Sequence, residues 1–177
     1  IVYSCEVIIL NQVVLSVLVD NTAGVLSRVS GLFSRRGYNI TSLTVGETQD
    51  PAISRMTVVV KGDNQIIEQI KKQVLKLEDV REITELVPGD SVIRELILVK
   101  ISADKENRQS AIALADIFRA KIVDVSVDSM VIELTGNQAK IDAFIKLLEG
   151  FTVKEFVRTG ITGLERGTGD MADYLDD

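Results

Sequence analysis

The chain contains no histidine and a single cysteine, Cys5, among its 177 residues. Without histidine there is no His-based catalytic triad, no imidazole general base and almost no route to a transition-metal site. With one cysteine there is no intrachain disulfide, which fits a reducing compartment, the cytoplasm. An excess of basic charge is also missing. Twenty Lys and Arg face 26 Asp and Glu, a net charge of −6, and phosphate backbones demand the opposite sign, so nucleic acid is not the expected partner. Nor is there a long apolar run. Ile1–Leu10 is too short to span a bilayer and lacks the basic start and cleavage site of a signal peptide, so no membrane role is expected. The alternation of Tyr3, Cys5, Val7 and Ile9 suits a strand extension ahead of the main body. Asp, Glu, Lys and Tyr remain as possible catalysts, but no spacing arranges them as an active site, and we expect no catalytic and no metal-binding residues.

What the sequence does have is a pattern that occurs twice. Val13–Asp20 is a β-branched run. Asp20-Asn21-Thr22-Ala23-Gly24 supplies turn chemistry, and Val25, Val29, Leu32, Phe33 and Arg36 recur at helical spacing until Gly37. Tyr38–Thr48 reads as a strand, Gln49-Asp50-Pro51 as a turn and Ser54–Lys61 as a strand. Ile66/Ile67, Ile70, Val74 and Leu77 mark a second helix, and Val80–Val87 a last strand before Pro88-Gly89-Asp90. Arg94–Ala103, a helix through Ala111, Leu114, Ala115 and Phe118, the strands Lys121–Asp128 and Ser129–Thr135, a helix through Ile141, Phe144, Ile145 and Leu148, and the strand Thr152–Thr159 repeat that order. The expected fold is α+β, two ferredoxin-like βαββαβ units in tandem. The expected segments are an extension over 1–12, a first domain over 13–88, a second over 89–160 and an acidic tail over 161–177. In each unit two helices cover one face of an antiparallel sheet. The strand order usual for this motif leaves Tyr38–Thr48 at a sheet edge, open to pairing with a second copy of the chain.

The first loop carries the chemistry. A strand that ends at Asp20 and turns through Asn21, Thr22, Ala23 and Gly24 into a helix offers the free N–H groups of Gly24, Val25 and Leu26 at the positive end of the helix dipole, a place for a carboxylate. Gly24 lets a ligand approach, and Asn21 can both donate and accept. The plainer reading is that Asn21 or Thr22 caps the helix. The second copy's counterpart, Ser102-Ala103-Asp104-Lys105-Glu106-Asn107, has no glycine and carries charges, so no effector site is expected there.

Val17–Val29 resembles the first loop of an ACT domain, a small-molecule regulatory module. Gly31–Gly46 (Gly-Leu-Phe-Ser-Arg-Arg-Gly-Tyr-Asn-Ile-Thr-Ser-Leu-Thr-Val-Gly), Asp50–Thr57, Arg94–Lys100, Ile117–Asp124 and Val157–Gly160 resemble the small regulatory subunit of acetohydroxyacid synthase, also called acetolactate synthase. This likeness runs from about Val13 to Gly160. It implies an N-terminal ACT domain, a C-terminal ACT-like domain and a non-catalytic chain that dimerises through its ACT domains. That chain would activate a catalytic large subunit holding thiamine diphosphate, magnesium and FAD, and would confer feedback inhibition by valine in branched-chain amino acid biosynthesis. No cofactor belongs to this chain. The effector positions it implies are Asn21, Thr22, Ala23, Gly24, Val25 and Leu26 of one protomer with Asn39 and Ile40 of another; Tyr38 lines the pocket or packs beside it. Val25, Leu26 and Ile40 would receive the branched side chain.

Other readings are an ACT-domain sensor for another enzyme and an acylphosphatase-like hydrolase, whose first loop needs an arginine absent before Arg28. Gly167-Thr168-Gly169-Asp170 imitates a dinucleotide fingerprint but follows no βαβ strand and reads as flexible tail. Asn39-Ile40-Thr41 fits a glycosylation acceptor, with nothing to indicate secretion. Arg35-Arg36 reads as a solvated helix end, Asp124 and Asp128 as a solvent face, and Cys5 as a bystander.

Overall fold

The computed structural model describes residues 11–171. The proposed strand extension over Ile1–Leu10 with Cys5, and the end of the acidic tail, lie outside these residues. The element order is β1 (Asn11–Asp20), α1 (Val25–Arg35), β2 (Ile40–Glu47), β3 (Ile53–Gly62), α2 (Asn64–Val74), β4 (Val80–Glu85), β5 (Ser91–Ser102), α3 (Arg108–Phe118), β6 (Lys121–Val125), β7 (Ser129–Gly136), α4 (Gln138–Leu147), β8 (Val153–Arg158) and β9 (Thr162–Glu165). The fold is α+β and contains βαββαβ twice, as the sequence predicts. The described residues divide into two units, one holding residues 93–162 and the other residues 11–92 and 163–171.

In the first unit the strand order is β2-β3-β1-β4, all antiparallel. β1 alternates with the period of a strand, so Leu15, Val17 and Val19 share one face. That face meets Val25, Val29, Leu32 and Phe33, a helical stripe at i, i+4, i+7 and i+8 on α1, together with Ile70 and Val74 of α2. Each of these side chains contributes roughly 1.5–3 kcal/mol when fully buried. β2 takes the edge position expected from the strand order usual for this motif.

The opposite face of this sheet is also covered. Ser16 is 3% exposed, Thr57 1% and Leu86 2%. Part of the cover comes from the last described residues. A cavity of about 480 Å³ lies between Ser16, Leu18, Arg55, Thr84 and Leu86 of the sheet and Leu164, Thr168, Gly169 and Met171. Of the segment expected to be an acidic tail from Ile161, residues 163–171 are part of the first unit. Its Thr162–Glu165 is a strand paired with β5, and the Arg166 N–H donates to the Asp90 carbonyl at 2.8 Å. The physical reason is that a sheet with helices on one face must cover or solvate the other. Leu164 and Met171 place apolar groups along this cavity, which net acidity obscures.

The second unit has the order β6-β7-β5-β8. Ile97, Val99 and Ile101 of β5, with Met130, Ile132 and Leu134 of β7, pack on Ala111, Leu114 and Ala115 of α3 and on Ile141 and Phe144 of α4. Phe118 meets Phe144 edge-on at 5.2 Å. Glu95 is 3% exposed, and its carboxylate takes Nε and Nη2 of Arg158 at 2.5 and 2.8 Å. This bidentate pair satisfies a charge that burial would otherwise penalise.

Candidate effector site in the first loop

The loop after β1 is pinned from two sides. The Asp20 N–H donates to the Asp79 carbonyl at 2.8 Å, and the Asn21 N–H to the Ala52 carbonyl at 2.7 Å. The Asp20 carboxylate accepts from Nε of Arg81 at 2.7 Å. The Asn21 side chain donates from Nδ2 to Oε1 of Glu47 at 3.0 Å and to the Pro51 carbonyl at 2.9 Å.

Neither Asn21 nor Thr22 caps the helix. The N-cap is Gly24, at φ +89° in the left-handed region, with no side-chain hydrogen bond to the helix start. Glycine enters that conformation without the Cβ clash other residues meet. The Arg28 N–H closes the first turn on the Gly24 carbonyl at 3.0 Å, and the Val25 N–H reaches the Thr22 carbonyl only at 3.4 Å. The next N–H groups, of Leu26 and Ser27, precede the first intrahelical donor and face outward by helix geometry.

Arg28 adds a cation that the sequence reading did not include. Its Nε and Nη2 grip Asp79 Oδ2 and Oδ1 at 2.5 and 2.8 Å. Its Nη1 lies beside Gly24, 2.9 Å from where a Cβ would stand. Asp79 raises the Arg28 pKa through the hydrogen bond, and Arg28 in turn holds the Asp79 carboxyl below its ordinary value. The helix spacing from Gly24 to Arg28 could have signalled this, since residues four apart share a helix face. Glu47 was also missed. It reaches Asn21 only because the β2–β3 register sets it opposite Ser54, at the hairpin beside the loop.

The remaining candidate residues divide. Thr22 and Ala23 are exposed in the turn. Leu26 is 45% exposed, but Val25 is 3% exposed and belongs to the core under α1. Val25 therefore cannot receive a ligand side chain as expected; its place in an i, i+4 apolar stripe turns it inward. Tyr38, Asn39 and Ile40 lie past the other end of α1. The helix has 11 residues, so it sets them roughly 16 Å from Gly24 along its axis. Tyr38 packs edge-on against Phe33 at 6.3 Å, and its N–H closes on the Phe33 carbonyl. Within one chain, residues 21–26 and 38–40 are thus not brought together. Ile40 begins β2, the edge strand, half-buried against the core, and Asn39 is exposed beside it.

The corresponding loop of the second unit is built differently. Oδ1 of Asp104 accepts the N–H groups of Glu106 and Asn107 at 2.9 and 3.1 Å. The Arg108 guanidinium donates to the carbonyls of Ala103, Ser126 and Val127. Carboxylate and carbonyl oxygens crowd this helix start, so it does not offer an anion site. Elsewhere, Arg36 at the end of α1 donates to Gln73 at 3.0 Å, and Asp128 lies 3.7 Å from Lys154. Among the described residues no group of three His, Cys, Asp or Glu could hold a metal, and no helix is long and apolar enough to cross a membrane.

A βαββαβ unit whose first helix opens on a bare glycine, followed by a second unit of the same plan, defines a tandem ACT-type protein. Residues 15–82 match the model described as the AHAS small subunit-like ACT domain, and residues 94–167 match that of the small subunit of acetolactate synthase. A protein of Methanothermobacter thermautotrophicus named probable acetolactate synthase small subunit is 48% identical over 89% of this chain and 95% of its own. The acetolactate synthase isozyme 3 small subunit of Salmonella typhimurium is 47% identical over 87% and 95%. The crystal structure of the acetolactate synthase small subunit from Thermotoga maritima superposes with a TM-score of 0.83 at 43% identity, covering 90% of this chain and 99% of that one. The chain belongs to the acetolactate synthase small-subunit family.

Proposed function

We propose that the chain is the regulatory subunit of an acetolactate synthase. It binds a catalytic large subunit in the cytoplasm, raises its activity, and makes it sensitive to valine, the end product of branched-chain amino acid synthesis. The chemistry, with thiamine diphosphate, magnesium and FAD, resides on the large subunit, and this chain supplies no active site. The observation that carries the reading is the helix start at Gly24. Its left-handed backbone leaves the first N–H groups of α1 without a side-chain cap, and Arg28 stands beside it. A ligand carboxylate placed there meets helix N–H groups and a cation at once. Leu26, Asn39 and Ile40 then take the rest of the effector, the last two from a second copy that pairs along the β2 edge.

Inhibition requires that valine bind one state of the holoenzyme better than another. The test is to mix this chain with the large subunit and follow acetolactate formation. The expected result is higher turnover on addition of the chain, and loss of that turnover on addition of L-valine. Absence of both effects removes the reading. Sedimentation of the chain at micromolar concentration should show a dimer.

A further inference from the structure

Glu47 belongs to none of the positions first considered for the site, yet it decides what Asn21 can do. Both partners of the Asn21 amide nitrogen, the Glu47 carboxylate and the Pro51 carbonyl, are acceptors only. The amide is therefore fixed with its two hydrogens on Glu47 and Pro51 and its oxygen as the group left for a ligand. The hairpin that holds this arrangement is stapled. Thr48 Oγ1 donates to the Asp50 carbonyl at 3.0 Å, the Asp50 carboxylate accepts the Ala52 N–H at 2.9 Å, and the Ile53 N–H closes on the Asp50 carbonyl at 3.0 Å. The charges nearby are uneven. Asp20 and Asp79 are each paired with an arginine, whereas among the described residues Glu47 makes no ion pair. The loop thus has a donor end, at the uncapped helix N–H groups and Arg28 Nη1, and a negative end, at Glu47 and the Asn21 oxygen.

We propose that Glu47 is a specificity-determining residue. By orienting Asn21 and adding an uncompensated negative charge, it makes the loop select a ligand with a free α-ammonium over the 2-oxo or 2-hydroxy acid of the same carbon skeleton. An ammonium brings three N–H donors and a positive charge; a hydroxyl brings one donor, and a ketone none. This rests on the effector reading of residues 21–26.

The test is calorimetric titration of the full chain with L-valine, 2-oxo-3-methylbutanoate and 2-hydroxy-3-methylbutanoate, at low and high salt. The unmodified chain is expected to bind valine and to discriminate against both analogues. Glu47→Gln keeps an acceptor for Asn21 but loses the charge. It should weaken valine about tenfold, the difference between a charge-assisted and a neutral contact, while leaving the analogues as they were. The selectivity ratio then collapses. Glu47→Asp should restore much of it, and Asn21→Ala should weaken valine further. If Glu47→Gln, folded by its thermal midpoint, keeps the selectivity ratio of the unmodified chain, the role assigned to Glu47 is wrong while the site stands. If the unmodified chain binds no valine, the effector reading itself fails.

Discussion

The two βαββαβ units start their first helices in opposite ways. At Gly24 the turn into α1 is a bare backbone in the left-handed region, held from its flanks by Asp79, Ala52 and Glu47. At Arg108 the turn into α3 is filled, with a guanidinium drawing together carbonyls from the end of β5 and from the β6–β7 hairpin. Both tie the strand end to the neighbouring hairpin, the first through an asparagine and the second through an arginine. The same tie can therefore leave a helix start open or close it, depending on which side chain makes it. One copy of the pattern leaves its helix start without a side-chain cap because its restraint comes from the side; the other fills the same place with its own guanidinium.

The comparison can be broken most severely at Gly24. Gly24→Asp places a side chain where φ is +89°, a strain of roughly 1–2 kcal/mol, and sets a carboxylate where the ligand's own would bind. We expect the valine concentration for half-inhibition of the holoenzyme to rise by about a hundredfold or more, equivalent to about 2.7 kcal/mol, with activation by the chain retained. Full valine sensitivity in this variant would mean that the open loop is not the receptor.

The mirror experiment is Arg108→Ala, which leaves three carbonyls without their donor. The second unit should lose about 2–3 kcal/mol of stability, read from urea unfolding or hydrogen exchange in α3, while valine affinity stays unchanged. A shift in valine affinity would show that the two loops are not independent.

A smaller effect separates them by pH. Arg28 holds the folded Asp79 carboxyl below its ordinary value. Its contribution is full above the unfolded carboxylate value near 3.9 and is lost as pH falls through the folded value. Exchange protection of α1 from the Arg28 N–H onward should fall on acidification below about pH 4, and Asp79→Asn should remove that dependence. The carbonyls around Arg108 do not titrate, so those contacts persist through the same range.

The smallest test lies at the other helix ends. α1 runs out into Gly37 at φ +69°, whereas α3 ends on Arg119 at φ +53°. Arg119→Gly should raise the stability of the second unit by about 0.5–1 kcal/mol, the left-handed cost less glycine's greater chain entropy. A thermal midpoint that falls instead would show that the Arg119 side chain has a role of its own.

The alternation of β1, the α1 stripe and the breaks at Gly37 and Pro88 make the repeated unit legible in the sequence, because each is a local rule the fold obeys. The candidate loop is legible for the same reason: strand, turn, glycine and helix follow within a few residues. Glu47 and Asp79 are not, since their approach to Asn21 and Arg28 depends on strand register and on packing across 26 and 51 residues of chain. The strand expected from Tyr38 begins at Ile40, because the Tyr38 N–H still belongs to the end of α1. The inward turn of Val25 can be read from its helical spacing, but a valine beside a ligand loop invites the opposite conclusion. The cover supplied by residues 163–171 was hidden by composition: four residues of strand in an acidic stretch resemble a tail until their partner is known.

That closing segment also sets an order of events during synthesis. The first unit opens with β1 but takes its last pieces from residues that leave the ribosome after the whole of the second unit. The amino-terminal module therefore waits, with one sheet face incompletely dressed, until residues 163–171 have been made, whereas the carboxy-terminal module can mature in one stretch. A nascent chain arrested between the two would expose Leu18 and Leu86, giving chaperones and proteases a mark by which to tell an unfinished copy from a finished one.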